Sequence, residues 1–240
     1  MKKILVVFLC LPLFAGAQKL IGGKNILKWN LAGLAARNYS FTYERSFLNR
    51  FSLSLNYRTM AKGSLPFQSW FESAIDSDDI LFNEFQIGNT AWTPEARVYI
   101  GLGKMKGFYV SPYYRFASFD LYMPVSYTNG VGSKNKAVFE GTVKSSSPGL
   151  MIGWQFQLLT KLVLDFQIVG GHWGKSSGEI VYKSPTPLST LEQDGLRKAL
   201  NNIDAGPFTF NSTVNSSGAV IYPTGWAGIR GLNLGVGLRF

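Results

Sequence analysis

Residue types and patterns that define several common protein classes are scarce in this chain. Its 240 residues include one cysteine, Cys10, and one histidine, His172. A single cysteine forms no internal disulfide, and a catalytic pair that uses a histidine would have to use His172. No apolar run reaches the ~18–20 residues that a transmembrane helix requires. The sequence therefore disfavours a disulfide-stabilised fold and a helical membrane protein.

Acidic residues are also few, at 14 against 24 lysines and arginines, and the formal net charge is +10. Such a balance suits a surface rich in anionic lipid phosphates. A nucleic acid is not the expected partner, because no run of five or more basic residues occurs. Aromatic residues, in contrast, make up 15% of the chain while its mean hydropathy is only +0.05. This combination is typical of strands in which every second residue meets lipid.

The first residues have the pattern of a secretory signal peptide. Lys2 and Lys3 precede an apolar run, 4–14, which is followed by Ala15-Gly16-Ala17. A basic start, a short apolar segment and small residues define a cleavable leader. We expect a signal peptide over residues 1–17 and one domain over residues 18–240. Because Cys10 lies in the leader, the mature chain would contain no cysteine.

The last ten residues, 231–240, alternate with a period of two. Leu232, Leu234, Val236, Leu238 and Phe240 share one parity, and the other parity is small or polar. Successive side chains of a strand point to opposite faces, so this pattern predicts a strand with one apolar face. The chain ends on the aromatic side chain of that strand.

Seven earlier segments alternate in the same way. Short links join them in pairs, and the long segments 60–91, 117–147 and 170–224 separate the pairs. Short turns at one end and long loops at the other are typical of transmembrane barrels. We therefore predict an all-β fold, an eight-stranded antiparallel up-and-down transmembrane β-barrel. Its predicted strands are 26–32, 39–44, 51–58, 92–100, 108–116, 150–157, 162–169 and 231–240.

With the leader and Phe240, three short motifs resemble a family of small eight-stranded outer-membrane barrels whose function is not settled. These are Tyr43-Glu44-Arg45, Pro94-Glu95-Ala96-Arg97 and Gly107-Phe108-Tyr109. The family is similar in architecture to the membrane domain of outer-membrane protein A and to outer-membrane proteins X and W. The resemblance implies a bacterial outer-membrane location with both termini in the periplasm. It also implies contact with lipid and lipopolysaccharide, and a role for Phe240 as a signal to the barrel assembly machinery.

Charged residues fall on the polar parity of the predicted strands, which faces the barrel interior. An eight-stranded barrel is just wide enough for side chains to fill it. The expected arrangement is a plugged, salt-bridged lumen, and the alternative is a narrow anion-preferring channel. The predicted lumen charge network is Lys28, Glu44, Arg58, Glu95, Arg97, Arg115, Asp165 and Arg239.

The chain offers weak signals for catalysis or metal binding. His172 precedes Ser176 and Ser177 and resembles the rim histidine of lipid-modifying barrel enzymes, but Gly174 stands where deacylases have their serine. We expect a rim histidine and no enzyme. Acidic residues crowd one loop without the glycine of a calcium site, so a solvated acidic face is expected, with divalent cation binding as the alternative. They are Asp76, Asp78, Asp79 and Glu84. No motif indicates a cofactor.

Two loop segments have helical patterns. An apolar stripe at helical spacing is formed by Phe67, Trp70, Phe71, Ala74 and Ile75. Ser189 and Glu192 form a capping-box pattern ahead of the segment 191–203. We expect both helices to lie over the barrel mouth, with Phe67, Trp70 and Phe71 as candidates for surface recognition by a partner that the sequence does not identify. The predicted function is structural or surface recognition, with a passive channel or small-ligand carrier as the alternative.

Overall fold

The protein is described by a computed structural model that covers residues 23–75, 77, 79–101, 103–129, 132–206 and 208–240, without the side chains of residues 70 and 74. The signal peptide predicted over residues 1–17 lies outside the described residues. The expected division into a leader and one domain therefore stays a prediction.

Eight strands form a closed antiparallel barrel. Each of these eight strands pairs with the next one along the chain, and the last pairs with the first, which closes the ring. A ninth, short strand pairs with the start of the last barrel strand. This confirms the predicted all-β fold of eight up-and-down barrel strands. The strands are β1 Asn25–Asn30, β2 Asn38–Ser46, β3 Phe51–Ser64, β4 Gln86–Ile100, β5 Gly107–Thr128, β6 Lys134–Gln157, β7 Leu162–Lys183, β8 Thr209–Asn215 and β9 Gly218–Arg239.

Both described chain ends lie at the end of the barrel that carries the short links, which we name the turn end. The links there are 47–50, 101–106 and 158–161. The amide of Asn25 donates to the carbonyl of Phe240 at 3.0 Å, and the amide of Phe240 donates back at 2.9 Å. The terminal residue thus completes the seam between β1 and β9.

Side chains sort by strand parity, as the sequence predicts. Leu53 is 53% exposed on the outside, whereas Arg97 and Glu44 are fully buried inside. This alternation produces an apolar outer band around a polar interior.

The strands extend well beyond the predicted ones at the opposite end. The predicted loop 117–147 is largely a hairpin of β5 and β6, and β7 and β9 cover much of the predicted loop 170–224. Alternation continues in these extensions, but Lys136 and Glu140 replace apolar residues on the outer face. A search for strands with an apolar outer face therefore does not find these extensions. Residues 31–32 are not strand, because a 3-10 helix, Ala32–Ala36, begins there.

A register shift changes the facing of residues near the middle of β7. The pairing of β6 with β7 shifts between Ile152 and Gly153. Val169, predicted to face the interior, is consequently 48% exposed, and the next buried residues are Gly170 and His172. A bulge adds one unpaired residue, so strict alternation along the chain fails at that point.

The strand extensions, two helices and β8 form a second compact region, which we name the cap; it comprises the described residues of 60–89, 119–143 and 177–225. The helices are α1, Gln68–Ala74, and α2, Thr190–Asn201, which packs on β5 and β8. Ser189 and Glu192 form the predicted capping box at the start of α2. Leu196 and Leu200 of α2 are buried with Val125, Phe139 and Ile180. None of the described helices has the length and apolar character to cross a bilayer.

Candidate functional site

Arg97 lies at the centre of the lumen and is bonded on several sides. Its Nη2 lies 2.9 Å from Oε2 of Glu95, and its Nη1 lies 2.6 Å from Oδ2 of Asp165 and 3.4 Å from Oε2 of Glu44. The guanidinium also stacks over the ring of Tyr109, with 4.5 Å between Cζ and the ring centroid. One cation thus contacts all three carboxylates of the barrel interior.

Lys28 supplies the second cation of the same cluster. Its Nζ donates to Oε2 of Glu44 at 2.5 Å, to Oδ2 of Asp165 at 2.6 Å and to Oε1 of Gln155 at 2.5 Å. All three donor positions of the ammonium group are therefore used. We name Lys28, Glu44, Glu95, Arg97 and Asp165 the lumen network.

Serine and tyrosine hydroxyls donate further hydrogen bonds to the carboxylates of the lumen network, and Ser54 donates to Oε2 of Glu95 at 3.3 Å. Tyr99 donates to Oε1 of Glu44 at 2.6 Å, and Ser52 donates to the same oxygen at 2.5 Å. Tyr109 donates to Oδ1 of Asp165 at 2.8 Å. A buried charge is tolerated only when it is paired and hydrogen-bonded. The network meets this condition on every carboxylate.

Two glycines allow tyrosine side chains to cross the lumen. A Cβ at Gly149 would lie 2.4 Å from Cζ of Tyr113, and a Cβ at Gly153 would lie 2.4 Å from Cζ of Tyr109. No real Cβ approaches that closely, so any side chain at these positions would displace a ring. Tyr109 and Tyr113 thus lie across the barrel interior, beside the lumen network.

Arg230 joins this arrangement, although the sequence interpretation did not select it. Its Nη1 and Nη2 both lie 3.2 Å from Oε1 of Glu95, and its Cζ lies 4.7 Å above the ring of Tyr113. Arg230 belongs to β9 ahead of the predicted final strand. The sequence feature that could have identified Arg230 is its position among the small and apolar residues of 225–231.

Three of the eight predicted lumen charges lie outside the lumen network. Arg115 contacts Thr93 and Asn89 at 3.4 Å, and Nε of Arg58 has no hydrogen-bond partner; neither residue forms a salt bridge within the described part of the chain. Arg239 lies at the turn end, where it donates to the carbonyl of Gly23 at 2.6 Å and to Gln157 at 2.9 Å. Within the described residues, none of these three therefore forms a salt bridge to the lumen network. Strand parity gives facing but not height along the barrel axis.

His172 is not a rim histidine. It is buried inside the barrel, where its Nδ1 lies 3.2 Å from the hydroxyl of Tyr113 and its ring fills the space above Gly228. The prediction is wrong because β7 continues to Lys183, which places His172 far from the strand end. Ser176 donates its hydroxyl to the carbonyl of Gly225 at 3.1 Å.

Two of the candidate recognition residues near α1, Phe67 and Phe71, have different surroundings. Phe67 is 64% exposed, whereas Phe71 packs against the cluster of Leu65, Ile80 and Phe82. The side chain of Trp70 lies outside the described residues. Ile203, which follows α2, packs against the same cluster. The ends of the two predicted helical segments thus meet in one apolar cluster.

The acidic loop residues have separate surroundings. Glu84 forms a salt bridge with Lys136 on the surface. Asp76 and Asp78 lie outside the described residues. Across the residues that the structure describes, no group of three or more acidic, histidine or cysteine side chains is arranged to hold a metal ion.

Above the lumen, the cap encloses an apolar cavity of about 160 Å³. Strand residues such as Leu121, Val143 and Ile180 form one part of its wall. Phe71 and Ile203, from the two helical regions, form another, together with Trp226 of β9. The described residues thus form a polar, paired interior in the barrel and surround an apolar cavity in the cap.

Comparison with family models gives a match over residues 4–194 to the family described as "Protein of unknown function (DUF3575)". The chain belongs to this family. No curated protein matches the chain. Among solved structures, the crystal structure of Neisserial surface protein A (NspA) is similar, with 8% sequence identity and a TM-score of 0.32. The match covers 91% of this chain and 98% of that chain.

Proposed function

We propose that this member of the family is an integral outer-membrane β-barrel with a closed lumen that acts through its cap on the extracellular side. The lumen network carries this proposal, because five paired charges and two tyrosines occupy the barrel cross-section. The apolar outer band supports insertion in a bilayer, since exposed leucine and aromatic side chains surround a polar interior. The role is structural or recognitional rather than enzymatic.

The proposed orientation places both termini in the periplasm and the cap outside the cell. Short turns and both chain ends share the turn end, as is usual for periplasmic ends of such barrels. Protease added to intact cells should cut within 60–91 or 170–224. Cleavage that requires prior opening of the outer membrane would overturn this orientation.

The expected partners follow from the same placement. The outer band would contact lipid and lipopolysaccharide, and Phe240 at the barrel seam would be read by the assembly machinery. The hydrogen bonds between Asn25 and Phe240 support a role for the terminal residue in closing the barrel.

Bilayer conductance tests the closed lumen. The refolded protein should show no persistent open state. A matched control, Lys28→Ser, Glu44→Ser, Arg97→Ser and Asp165→Ser together, removes two cations and two anions and should conduct ions. Heat-modifiable migration on a gel verifies that both proteins are folded. Persistent conductance of the unmodified protein, equal to that of the control, would favour the narrow channel instead.

The second candidate function is that of a small-ligand carrier. The apolar cavity of the cap favours it, since ligand sites are concave, mostly apolar spaces. A rim-sited lipid-modifying enzyme has less support, because His172 is buried against Tyr113 inside the barrel.

A further inference from the structure

The cap cavity has an almost wholly apolar wall. Six isoleucines contribute to it, with leucine, valine and aromatic side chains from β5, β6, β9 and both helical regions. They are Ile75, Ile80, Ile87, Ile180, Ile203 and Ile221. The polar side chain in the wall is Thr209, whose hydroxyl lies 2.9 Å from that of Thr224 and is therefore already paired. No charged side chain faces the cavity among the described residues.

The size and chemistry of the cavity restrict what it can hold. Apolar cavities remain dry, because water needs polar partners, and an engineered cavity of about 150 Å³ binds benzene. The cap cavity, at about 160 Å³, belongs to the same size class. An ion or a strongly polar ligand would lose its hydration without gaining partners. A small uncharged apolar molecule is the chemistry that matches the wall.

The outer surface of the cap indicates the source of such a molecule. At the cavity level, the outward residues of the strands include the exposed charges Asp120, Lys136, Glu140 and Glu179. Charged side chains on the lipid-facing surface of a barrel are unfavourable, so this level lies in water. Acyl chains of the bilayer therefore do not border the cavity. Its occupant has to come from the extracellular solution.

We infer that the cap cavity is a binding site for a small, uncharged, apolar molecule taken from the extracellular side. This inference rests on the proposed function and names the ligand class of the cap. Trp226 forms one wall, with its ring centroid 4.3 Å from that of Phe119 and 4.8 Å from that of Phe208.

Methyl NMR with benzene as the probe tests the site. The protein would be labelled at isoleucine δ1 methyl groups and embedded in lipid nanodiscs. The methyl signals of the six cavity isoleucines should shift in a saturable manner as benzene is added. Ile100, Ile168 and Ile229 are exposed on the outer band and act as internal controls for benzene that partitions into lipid.

Cavity-filling variants provide the matched comparison. Val143→Phe places a ring in the cavity from β6, and Ala205→Phe does so from the segment after α2. Both should abolish the saturable shifts. Val169→Phe, the same change as the first on the exposed outer band, should leave them intact. Heat-modifiable migration shows whether each variant is folded, and the second filling variant replaces the first if β6 does not tolerate the larger side chain.

Three outcomes of these experiments would overturn the inference of a ligand site in the cap. Equal shifts of cavity and outer-band isoleucines would mean bilayer partitioning only, and unchanged binding after both fillings would place benzene elsewhere; either result overturns the inference. Absence of any shift also overturns it. None of these results opens the lumen to ions, so silent bilayers would keep the proposed function intact while the ligand site is rejected.

Discussion

The two interiors of this protein use opposite physics. In the barrel, Arg97 and Lys28 contact three carboxylates, and serine or tyrosine hydroxyls donate further hydrogen bonds to each of them. In the cap, isoleucine and aromatic side chains surround about 160 Å³ of unfilled space. A saturated polar network has no remaining capacity for a ligand, whereas an apolar cavity gains dispersion contacts when it is filled. The barrel interior is thus polar and paired, whereas the cap interior is apolar.

Removing the central cation of the lumen network should destabilise the barrel. Arg97→Ala would leave Glu44, Glu95 and Asp165 with a buried excess of negative charge, which destabilises a protein by about 3–5 kcal/mol. Urea unfolding in lipid vesicles would measure the loss. As a control, Lys136→Ala breaks the exposed pair with Glu84 and should cost about 0–1 kcal/mol. Equal effects of the two substitutions would refute a special role for burial.

Deleting Phe240 should reduce the amount of folded barrel in the outer membrane without changing either interior. The residue closes the seam through its backbone bonds to Asn25 and carries the terminal aromatic side chain. Immunoblots of membrane fractions with and without heating would measure folded protein. Deleting Phe67, an exposed residue of the cap, serves as the control. Normal membrane levels after loss of Phe240 would argue against the assembly role.

Excising the helical part of the cap should remove the cap cavity and leave the barrel interior intact. The excision has to spare the paired strands β7, which ends at Lys183, and β9, which begins at Gly218. The amide of Ser184 already donates to the carbonyl of Ser217 at 2.9 Å, so 185–216 can be replaced by a tight turn. The barrel should remain inserted and heat-modifiable, while benzene binding and any surface binding of the intact protein disappear. Survival of that binding would exclude the cap as the recognition region.

Filling the cavity should change stability little. Val143→Phe adds apolar volume to a space that exists, and we expect a change within about 1 kcal/mol, in contrast to the cost of overpacking a filled core. Met151→Phe, in the filled lower interior, is the comparison and should destabilise by about 1–3 kcal/mol. Urea unfolding measures both. A large loss from Val143→Phe would mean that the cap interior is already filled.

The smallest expected effect concerns pH at the start of α2. Hydrogen bonds from the Ser189 side chain and backbone hold the pKa of Glu192 below its ordinary value of 4.5. A lowered pKa in the folded state adds stability above the ordinary value, and this stability is lost as pH falls below it. The protection factors of α2 amides, which correct the exchange rate for the intrinsic rate at each pH, should therefore fall in acid. Glu192→Gln should remove that pH dependence, and an unchanged profile in this variant would assign the effect to another group.

Strand alternation allowed much of the barrel to be predicted from the sequence. It gave eight strands, the short turns and the interior facing of Lys28, Glu44, Glu95, Arg97 and Asp165. It did not give the height of each charge along the axis, so Arg239 was grouped with residues that it does not contact. Arg230 was missed because it lies ahead of the predicted final strand, and His172 was misplaced because β7 continues beyond its predicted end.

The cap was less predictable for two physical reasons. Its strands carry charges such as Lys136 and Glu140 on the outside, so they lack the apolar face by which membrane strands are found. Its cavity forms between Phe71, Val143 and Ile203, which are far apart in the chain. Alternation and helical periodicity describe one segment at a time. A space between several segments is determined only by their packing together.

Bilayer conductance of the unmodified protein beside the variant that lacks 185–216 tests whether the lumen network closes the barrel. Neither protein should show a persistent open state, because the cap takes no part in closing it. A persistent open state in the unmodified protein would contradict the closed lumen. Channels that appear only after the excision would show that the cap, and not the network, closes the barrel.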